Sequence, residues 1–310
     1  MLPVNLKSSS TIVYSTIIAT IGRPTLARAV ESVLSQDSPV NFEVIVVNDS
    51  GKSLPVEDWH HSERVTILNT NRRERCVARN AGAAIAHGAY LHFLDDDDWM
   101  LPGAFRELWN VARGSNASLI YGATRVVDKD GNLRAEHHIG VHGNAFVQVM
   151  AGELLPLLSS LFESKVFFEI GGFQPRLVWA EDWDIGRRVA LRGDVVSTHF
   201  PVACLVRDKE NTTTNYDQGW VCNNVSIDLM LEEKGSFTRM LASAENHYWR
   251  GKMARTYLIG IVWNLRNRKF LKALSRASEA AASLILFAAH LTSLVFWKSL
   301  CRGHHSQLNG

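Results

Sequence analysis

Four consecutive aspartates, Asp95 to Asp98, follow the apolar segment 89–94 and are the residues of this sequence best suited to chemistry. Carboxylates side by side repel one another, so the arrangement is costly unless a positive group lies among them. Carboxylate oxygens suit Mg²⁺ or Mn²⁺, and Mg²⁺ usually shares its coordination shell with substrate phosphates. Because the run follows a segment typical of a buried strand, we favour a divalent-cation site over a solvated acidic loop.

The segments around these acids alternate between strand and helix patterns over roughly the first two hundred residues. Runs rich in β-branched or apolar residues predict strands, and apolar positions at helical spacing predict helices. The predicted strands are 11–20, 42–47, 65–68, 89–94 and 118–122, and the predicted helices begin at Thr25 or cover 79–87, 102–113 and 185–192. Short strands separated by helices indicate an α/β fold with a mostly parallel sheet.

Polar residues follow three of these strands. Thr20 ends the first strand, Asp49 follows the second, and the acidic run follows a later one. The carboxyl ends of parallel strands share one edge of a sheet, where such folds bind their ligands. We therefore expect these side chains to meet in a single binding site.

Several motifs occur in an order typical of one enzyme family. They are Glu31-Ser32-Val33-Leu34-Ser35-Gln36, Val46-Val47-Asn48-Asp49-Ser50-Gly51, Ala78-Arg79-Asn80-Ala81-Gly82, Phe93-Leu94-Asp95-Asp96-Asp97-Asp98 with Pro102, Gly171-Gly172-Phe173, and Glu181-Asp182-Trp183-Asp184. Together they resemble the family 2 glycosyltransferases, which are inverting enzymes with the GT-A fold. The resemblance covers roughly residues 11–215 and implies a Rossmann-like, mostly parallel central sheet flanked by helices.

The resemblance also implies how the chain is divided. Residues 1–215 would form the GT-A catalytic domain, with 11–98 as its nucleotide-binding half and 99–215 as its acceptor-binding half. Residues 216–310, which have mainly helical patterns, would form a C-terminal helical extension that could associate with a membrane.

By this resemblance, one group of residues binds the nucleotide. Thr20 and Asp49 would hold the base, typically uracil, and a carboxylate can accept the imide N–H that uracil offers. The alternative for Asp49 is a turn carboxylate that bonds to its own backbone. Arg79 and Asn80 would lie beside the nucleotide, with Asn80 fixing the loop, and Asp96 would contact the ribose.

The resemblance assigns Asp95 and Asp97 to a Mg²⁺ or Mn²⁺ ion. This ion would bridge the donor diphosphate and stabilise the leaving nucleoside diphosphate. Many relatives carry a histidine after the last core strand, but the segment 205–213 of this chain has none. Lys209 in that segment could substitute for the histidine as a phosphate contact.

Asp182 matches the catalytic base of the family. An inverting transfer requires a carboxylate opposite the leaving group, which takes the proton of the acceptor hydroxyl as it attacks the anomeric carbon. The acceptor-side candidates are Asp98, Glu181, Trp183 and Asp184, of which Glu181 and Asp184 also rival Asp182 as the base.

These expectations combine into a metal-dependent inverting glycosyltransferase. It would move a sugar from a nucleotide-sugar donor, preferably a UDP-sugar, to an acceptor hydroxyl in cell-surface polysaccharide or glycolipid assembly. Two alternatives stay open: a nucleotidyltransferase acting on a sugar phosphate, and a non-catalytic relative that binds sugar or nucleotide. The net charge of +2 implies no particular partner, and we expect no nucleic acid.

The C-terminal part of the chain is basic and apolar. Residues 261–303 contain seven Lys or Arg against one acid, Glu279, which favours contact with an anionic membrane surface. The apolar run 284–297 is short for a bilayer span. It could lie on the membrane, pack on the catalytic domain, or cross the bilayer. A glycan or lipid-linked acceptor would suit a location at the cytoplasmic face of the inner membrane.

The remaining signals also favour the cytoplasm. Residues 1–10 are polar and no cleavage-site pattern follows the short apolar run 12–21, so we expect no secretion signal. The four cysteines are far apart and have no metal-ligand spacing, which fits a reducing compartment.

Overall fold

The computed structural model describes residues 12–177, 179–207, 216–241, 247–286 and 292–301. The strands in these ranges are β1 (Ile12–Thr20), β2 (Asn41–Asn48), β3 (Val65–Asn69), β4 (Tyr90–Asp95), β5 (Trp99–Met100), β6 (Leu119–Val127), β7 (Leu133–His137), β8 (Ser160–Glu163) and β9 (Val195–Val206). The helices are α1 (Leu26–Leu34), α2 (Arg75–Ala84), α3 (Ala104–Ala112), α4 (Phe146–Met150), α5 (Ser164–Glu169), α6 (Glu181–Arg192), α7 (Tyr216–Glu232), α8 (Ser236–Leu241), α9 (His247–Arg266), α10 (Phe270–Leu286) and α11 (Leu294–Cys301).

Strands β3, β2, β1 and β4 lie side by side in that order and run parallel. Their carboxyl ends coincide, because Thr20 pairs with Asn48 and Ala19 pairs with Asp95. The polar edge that the sequence predicts is therefore present, and it brings three separate strand ends together.

The rest of the sheet is mixed. β8 runs antiparallel to β4 and to β6, β9 runs parallel to β6, and β7 forms a hairpin with β6. The short strand β5 pairs with β9, with Trp99 opposite Cys204. The acidic run between β4 and β5 therefore connects the parallel half of the sheet to its last pair of strands.

Apolar side chains cover both faces of the parallel half, as is usual for such strands. Ile17 and Phe93 face a core formed with α2, α4, α5 and α6. Their neighbours Ile18 and Leu94 face a second core formed with α1 and α3. This alternation follows the two-residue period of a strand, and it holds β1 and β4 firmly beneath the polar residues at their ends.

Helix α2 begins at Arg75, earlier than the predicted start at Arg79. The physical reason is a cap, because the Glu74 carboxylate accepts hydrogen bonds from the backbone N–H groups of Cys76 and Val77. Such a cap satisfies amides that have no partner inside the helix. The extra turn carries Arg75 on the same helix as Arg79.

Helix α6 begins at Glu181, four residues before the predicted start at Ile185. Acidic side chains in a first turn are stabilised by the positive end of the helix dipole. Glu181, Asp182 and Asp184 therefore share one helical turn, and their directions are set by the helix.

Helices α7 to α11 follow the last strand, with α7 against α6 and α9 against α4. Arg276 of α10 is buried, and its Nε lies 3.0 Å from Oδ1 of Asp228 in α7. Asn264 of α9 donates to the same carboxylate. Arg276 belongs to the basic stretch expected to contact a membrane, but its buried side chain instead connects α10 to α7.

None of the helices in the described ranges has the length and hydropathy needed to span a bilayer. Residues 287–291, in the middle of the predicted apolar run 284–297, lie outside the described residues.

Candidate active site

Asp96 connects the end of β1 to the acidic run. Thr20 Oγ1 donates to Asp96 Oδ2 at 2.6 Å, and Arg23 Nη1 lies 2.5 Å from Asp96 Oδ1. The Asp96 side chain is buried. Both of its carboxylate oxygens have protein partners, so a ribose hydroxyl would have to share them with Thr20 and Arg23.

Asp95, Asp97 and Asp98 form a cluster in which one oxygen of each lies within 4.8 Å of the others. The sequence predicts Asp95 and Asp97 as a pair, and the structure adds Asp98, which was expected on the acceptor side. Asp98 is buried, and its Oδ1 accepts a hydrogen bond from the Val206 N–H at 2.8 Å. The start of the turn and the end of β9 together set its position.

The charges of this cluster are poorly balanced. Burial and the neighbouring Asp95 raise the pKa of Asp98 well above its usual range, and the same two causes raise the pKa of Asp97. Crowded hard oxygen donors with excess negative charge are the ligand set that Mg²⁺ or Mn²⁺ takes in proteins. The residues present therefore fit such an ion.

A buried guanidinium joins this cluster to α6. Arg79 Nη2 lies 2.5 Å from Asp95 Oδ1, and its Nη1 lies 3.4 Å from Glu181 Oε1. Arg75 Nε approaches the same Glu181 oxygen at 2.7 Å. Arg79 was expected beside the nucleotide, but its side chain is only 3% exposed and is occupied by these two carboxylates. It acts as a link between the acidic run and the first turn of α6.

Glu181 and Asp182 differ although they are adjacent. Glu181 is buried, and burial raises its pKa to about 7 in spite of the opposing effect of Arg75 and Arg79. Asp182 is half-buried, and its Oδ1 accepts a hydrogen bond from the Trp183 N–H at 2.8 Å. Burial also raises the pKa of Asp182, which makes its carboxylate a stronger proton acceptor than an ordinary aspartate.

Asp184 points to the interior. Its Oδ2 accepts from Arg188 Nε at 2.8 Å and from Arg188 Nη2 at 2.5 Å, and its Oδ1 accepts from Ser226 at 3.0 Å. The side chain is 1% exposed. Arg188 also donates to the carbonyl oxygens of Ile170 and Gly172. The acceptor-side position expected for Asp184 is therefore not where the fold places it; the residue supports the turn before α6.

Asn80 holds that turn from the other side. Its Nδ2 donates to the Phe173 carbonyl at 2.8 Å, and its Oδ1 accepts from the Phe173 N–H at 2.9 Å. Gly172 has φ +65°, and a Cβ there would lie 2.6 Å from the Asn80 oxygen. The glycine is required by both conformation and space, and Asn80 fixes the turn at Phe173.

Asp49 is buried at the end of β2, where it anchors the segment 70–74. Its Oδ1 accepts from Thr70 Oγ1 and from the Arg72 N–H, and its Oδ2 accepts from the Glu74 N–H, all within 2.8 Å. Burial alone would raise its pKa, but these hydrogen bonds hold it below the usual range. Asp49 is thus ionised. Its partners lie 21–25 residues further along the chain, so it is not a turn carboxylate that bonds to its own backbone.

Arg23 is a further residue of this site, which was not predicted from the sequence. Its guanidinium contacts Asp96 and also lies 3.4 Å from Asp97 Oδ2. A signal was available, because Arg23 follows Thr20 by three residues and must lie near the same sheet edge. Lys209, expected to replace a missing histidine, lies outside the described residues.

Trp183 is half-buried, with the Arg187 guanidinium 5.4 Å from the centre of its ring. An aromatic side chain therefore lies next to Asp182 in the first turn of α6, and its role as an acceptor contact stays a prediction.

Residues 15–175 match the model of "Glycosyl transferase family 2". An uncharacterized glycosyltransferase of Haemophilus influenzae is 27% identical over 176 residues, which is 55% of this chain and 59% of that protein. The poly(ribitol-phosphate) beta-N-acetylglucosaminyltransferase TarP of Staphylococcus aureus is 32% identical over 110 residues, or 34% of each chain. The chain therefore spans only part of the length of these relatives.

Solved structures also match. S. aureus TarS 1–349 in complex with UDP-GlcNAc superposes with a TM-score of 0.60 at 15% identity, covering 79% of this chain and 71% of that one. The match shows a common fold: a mostly parallel, curled sheet with flanking helices.

Proposed function

The chain belongs to glycosyl transferase family 2 and has the GT-A fold, and from this premise we propose a metal-dependent inverting transfer of sugar from a UDP-sugar to an acceptor hydroxyl. The observation that carries the proposal is the link from the acidic cluster to the first turn of α6. Arg79 bonds both Asp95 and Glu181, and Asp182 follows Glu181 in that turn. The proposed base is thus held in a defined position relative to the proposed metal ligands.

We propose that Asp95, Asp97 and Asp98 hold the Mg²⁺ or Mn²⁺ ion. When bound, such an ion supplies Lewis-acid stabilisation of the departing diphosphate. Asp98 is included among the ligands because the Val206 N–H donates to one of its oxygens. This hydrogen bond orients the carboxylate independently of an ion.

Nucleotide binding is assigned to the edge formed by β1 and β2. Asp49 stays ionised and could accept the uracil imide N–H in addition to its three internal donors. Thr20, whose backbone carbonyl accepts from the Asp49 N–H at 2.8 Å, lies beside it. Asn80 contributes by holding the turn at Phe173. Asp96 would meet the ribose through Oδ2, which accepts from Thr20, or through Oδ1, which contacts Arg23.

Asp182 acts as the base. It takes the proton of the acceptor hydroxyl as the hydroxyl oxygen forms a bond to the anomeric carbon, while the bond from that carbon to the nucleoside diphosphate breaks on the opposite face. Attack from the opposite face inverts the configuration. General-base catalysis of this kind contributes about 10²- to 10⁴-fold to the rate.

The acceptor would be a glycan or a lipid-linked glycan, and the site of action the cytoplasmic face of the inner membrane. Two relatives support an assembly role by their names: TarP acts on poly(ribitol-phosphate), and a 34% identical segment occurs in the succinoglycan biosynthesis protein ExoO of Rhizobium meliloti. No nucleic-acid partner is proposed.

The test is transfer or hydrolysis of UDP-sugars with Mn²⁺, comparing the wild type with Asp182→Asn. We expect release of UDP and a fall in kcat of about 10²-fold or more in the variant. Normal transfer by Asp182→Asn would rule out the base assignment, and release of pyrophosphate would indicate a nucleotidyltransferase.

Metal binding can be tested without turnover. Mn²⁺ should raise the Tm of the wild-type protein, because a ligand that binds only the folded state stabilises it. Asp97→Asn should reduce this shift, since it removes one of the three clustered carboxylates. An equal shift in both proteins would contradict the proposed ligand set.

A further inference from the structure

Helices α9, α10 and α11 expose a set of large apolar side chains. On α9 they follow helical spacing, and on α10 and α11 they lie near the first turns, where Leu271 is 84% and Leu294 is 75% exposed. The set comprises Leu258, Ile259, Val262, Leu265, Phe270, Leu271, Leu274, Leu294, Val295 and Trp297. We call these residues the apolar face. Single exposed apolar residues are common, but a group of this size on adjoining helices marks an interaction surface.

The apolar face contains a groove of about 480 Å³ between α9 and α11. Leu258, Val262 and Leu300 line it together with Arg255 and Arg266. The Arg255 guanidinium donates to the carbonyl oxygen of Leu300, so the two helices are held together beside the groove. A lining that combines apolar and basic side chains suits a ligand that has an apolar body and an anionic head.

The charge around the apolar face is positive. Residues 247–301 contain nine Lys or Arg and one acid, Glu279. Arg276 and Lys272 are paired with Asp228 and Glu232 of α7, so they contribute little to the outside. The exposed remainder includes Arg266, Arg268, Lys269 and Lys298.

We propose that the apolar face docks on an anionic phospholipid bilayer. Apolar side chains would enter the boundary between headgroups and acyl chains, while the four exposed basic groups would meet lipid phosphates, as in helices that lie in the interface. A second copy of the chain fits less well. In a symmetric pair the same positive patch would face itself, and like charges across an interface repel.

This inference deepens the proposed membrane location by assigning its surface, and it is independent of the transferase chemistry. Asp182→Asn should bind vesicles like the wild type. Failure of vesicle binding and failure of sugar transfer are therefore separate results.

The test is co-sedimentation of the full-length protein with vesicles of phosphatidylcholine, with and without phosphatidylglycerol, at low and high salt. We expect binding to the anionic vesicles that weakens with salt. Arg266→Gln combined with Arg268→Gln should reduce that binding about 25-fold, or about fivefold for each charge. Binding of both vesicle types with equal strength, or no change in this variant, would overturn the proposal.

Leu271→Asp combined with Leu274→Asp should also abolish binding, and Leu133→Asp is the matched control. Leu133 is 58% exposed but lies on β7, outside the apolar face. Circular dichroism and Tm establish whether each variant is folded. If the aspartates at positions 271 and 274 disturb the helices, the variant with Arg266→Gln and Arg268→Gln still tests the proposal. A dimer in light scattering that Leu271→Asp with Leu274→Asp dissociates, without vesicle binding by the wild type, would instead assign the face to self-association.

Discussion

Two aspartates in one helical turn should separate stability from catalysis. Asp182 and Asp184 are two residues apart at the start of α6, yet their carboxylates have opposite surroundings. Asp184 is bound by Arg188 and Ser226 in the interior, whereas the half-buried Asp182 carboxylate accepts a hydrogen bond from the N–H of the next residue. The perturbation is the same for both: aspartate to asparagine, which keeps the shape and removes the charge.

The expected cost for Asp184→Asn follows from its ion pair. Asp184 is 1% and Arg188 is 9% exposed, and breaking a buried pair by neutralising one partner costs about 3–5 kcal/mol. Asparagine keeps one acceptor oxygen for Arg188, so we expect about 3 kcal/mol. For a chain of this size that corresponds to a fall in Tm of about 6 °C.

Asp182→Asn should leave the free energy of unfolding within about 0.5 kcal/mol of the wild type. Burial already disfavours the charged form of this carboxylate, since it raises the pKa of Asp182. The variant should instead lose turnover by about 10²- to 10⁴-fold.

The assay pairs urea unfolding with UDP-sugar transfer at a temperature where all proteins are folded. Asp184→Asn should show a lower denaturation midpoint and the wild-type kcat. Asp182→Asn should show the wild-type midpoint and a lower kcat. If Asp184→Asn kept its stability but lost turnover, the roles of the two acids would have to be exchanged.

Three further changes test the network around α6. Gly172→Ala should lower the free energy of unfolding by about 2 kcal/mol more than Gly171→Ala; both glycines have positive φ, but only the Cβ at Gly172 meets a side-chain oxygen, and equal losses would contradict this. Arg79→Met should cost about 3 kcal/mol in urea unfolding, more than Arg75→Met, whose side chain is 41% exposed; the opposite order would refute the bridging role. Because burial raises the pKa of Glu181 from 4.5 to about 7, the folded state binds this proton more tightly than the unfolded state. The stability that protonated Glu181 contributes to the folded state is complete below pH 4.5 and is lost as the pH rises through about 7. Glu181→Gln should therefore gain stability relative to the wild type over that range, as followed by Tm, and a loss would show that the arginines dominate.

Much of the fold could be predicted because its signals are local. β-branched and apolar runs at the right spacing defined β1, β2, β4 and the helices between them, and strand polarity placed Thr20, Asp49 and the acidic run on one edge. The first residues of the helices were harder to predict. The cap by Glu74 and the acids of the first turn of α6 extended α2 and α6 beyond their apolar patterns.

Side-chain partners depended on contacts between distant segments. Asp98 joins the acidic cluster because Val206, more than a hundred residues later, holds its oxygen. Arg79 is a bridge and not a surface group because Asp95 and Glu181 approach it from two other elements. Neither of these contacts can be predicted from the spacing of residues along the chain.

The sequence by itself therefore determined which residue types reach the sheet edge, because strand period and order decide that locally. Only the tertiary structure decided which residues of the same type are bound by protein partners and which remain available for a ligand. Asp96 is occupied by Thr20 and Arg23, Asp184 by Arg188, and Arg276 by Asp228. A carboxylate's charge and availability depend on which groups surround it, and those groups are brought together by packing rather than by their order in the chain.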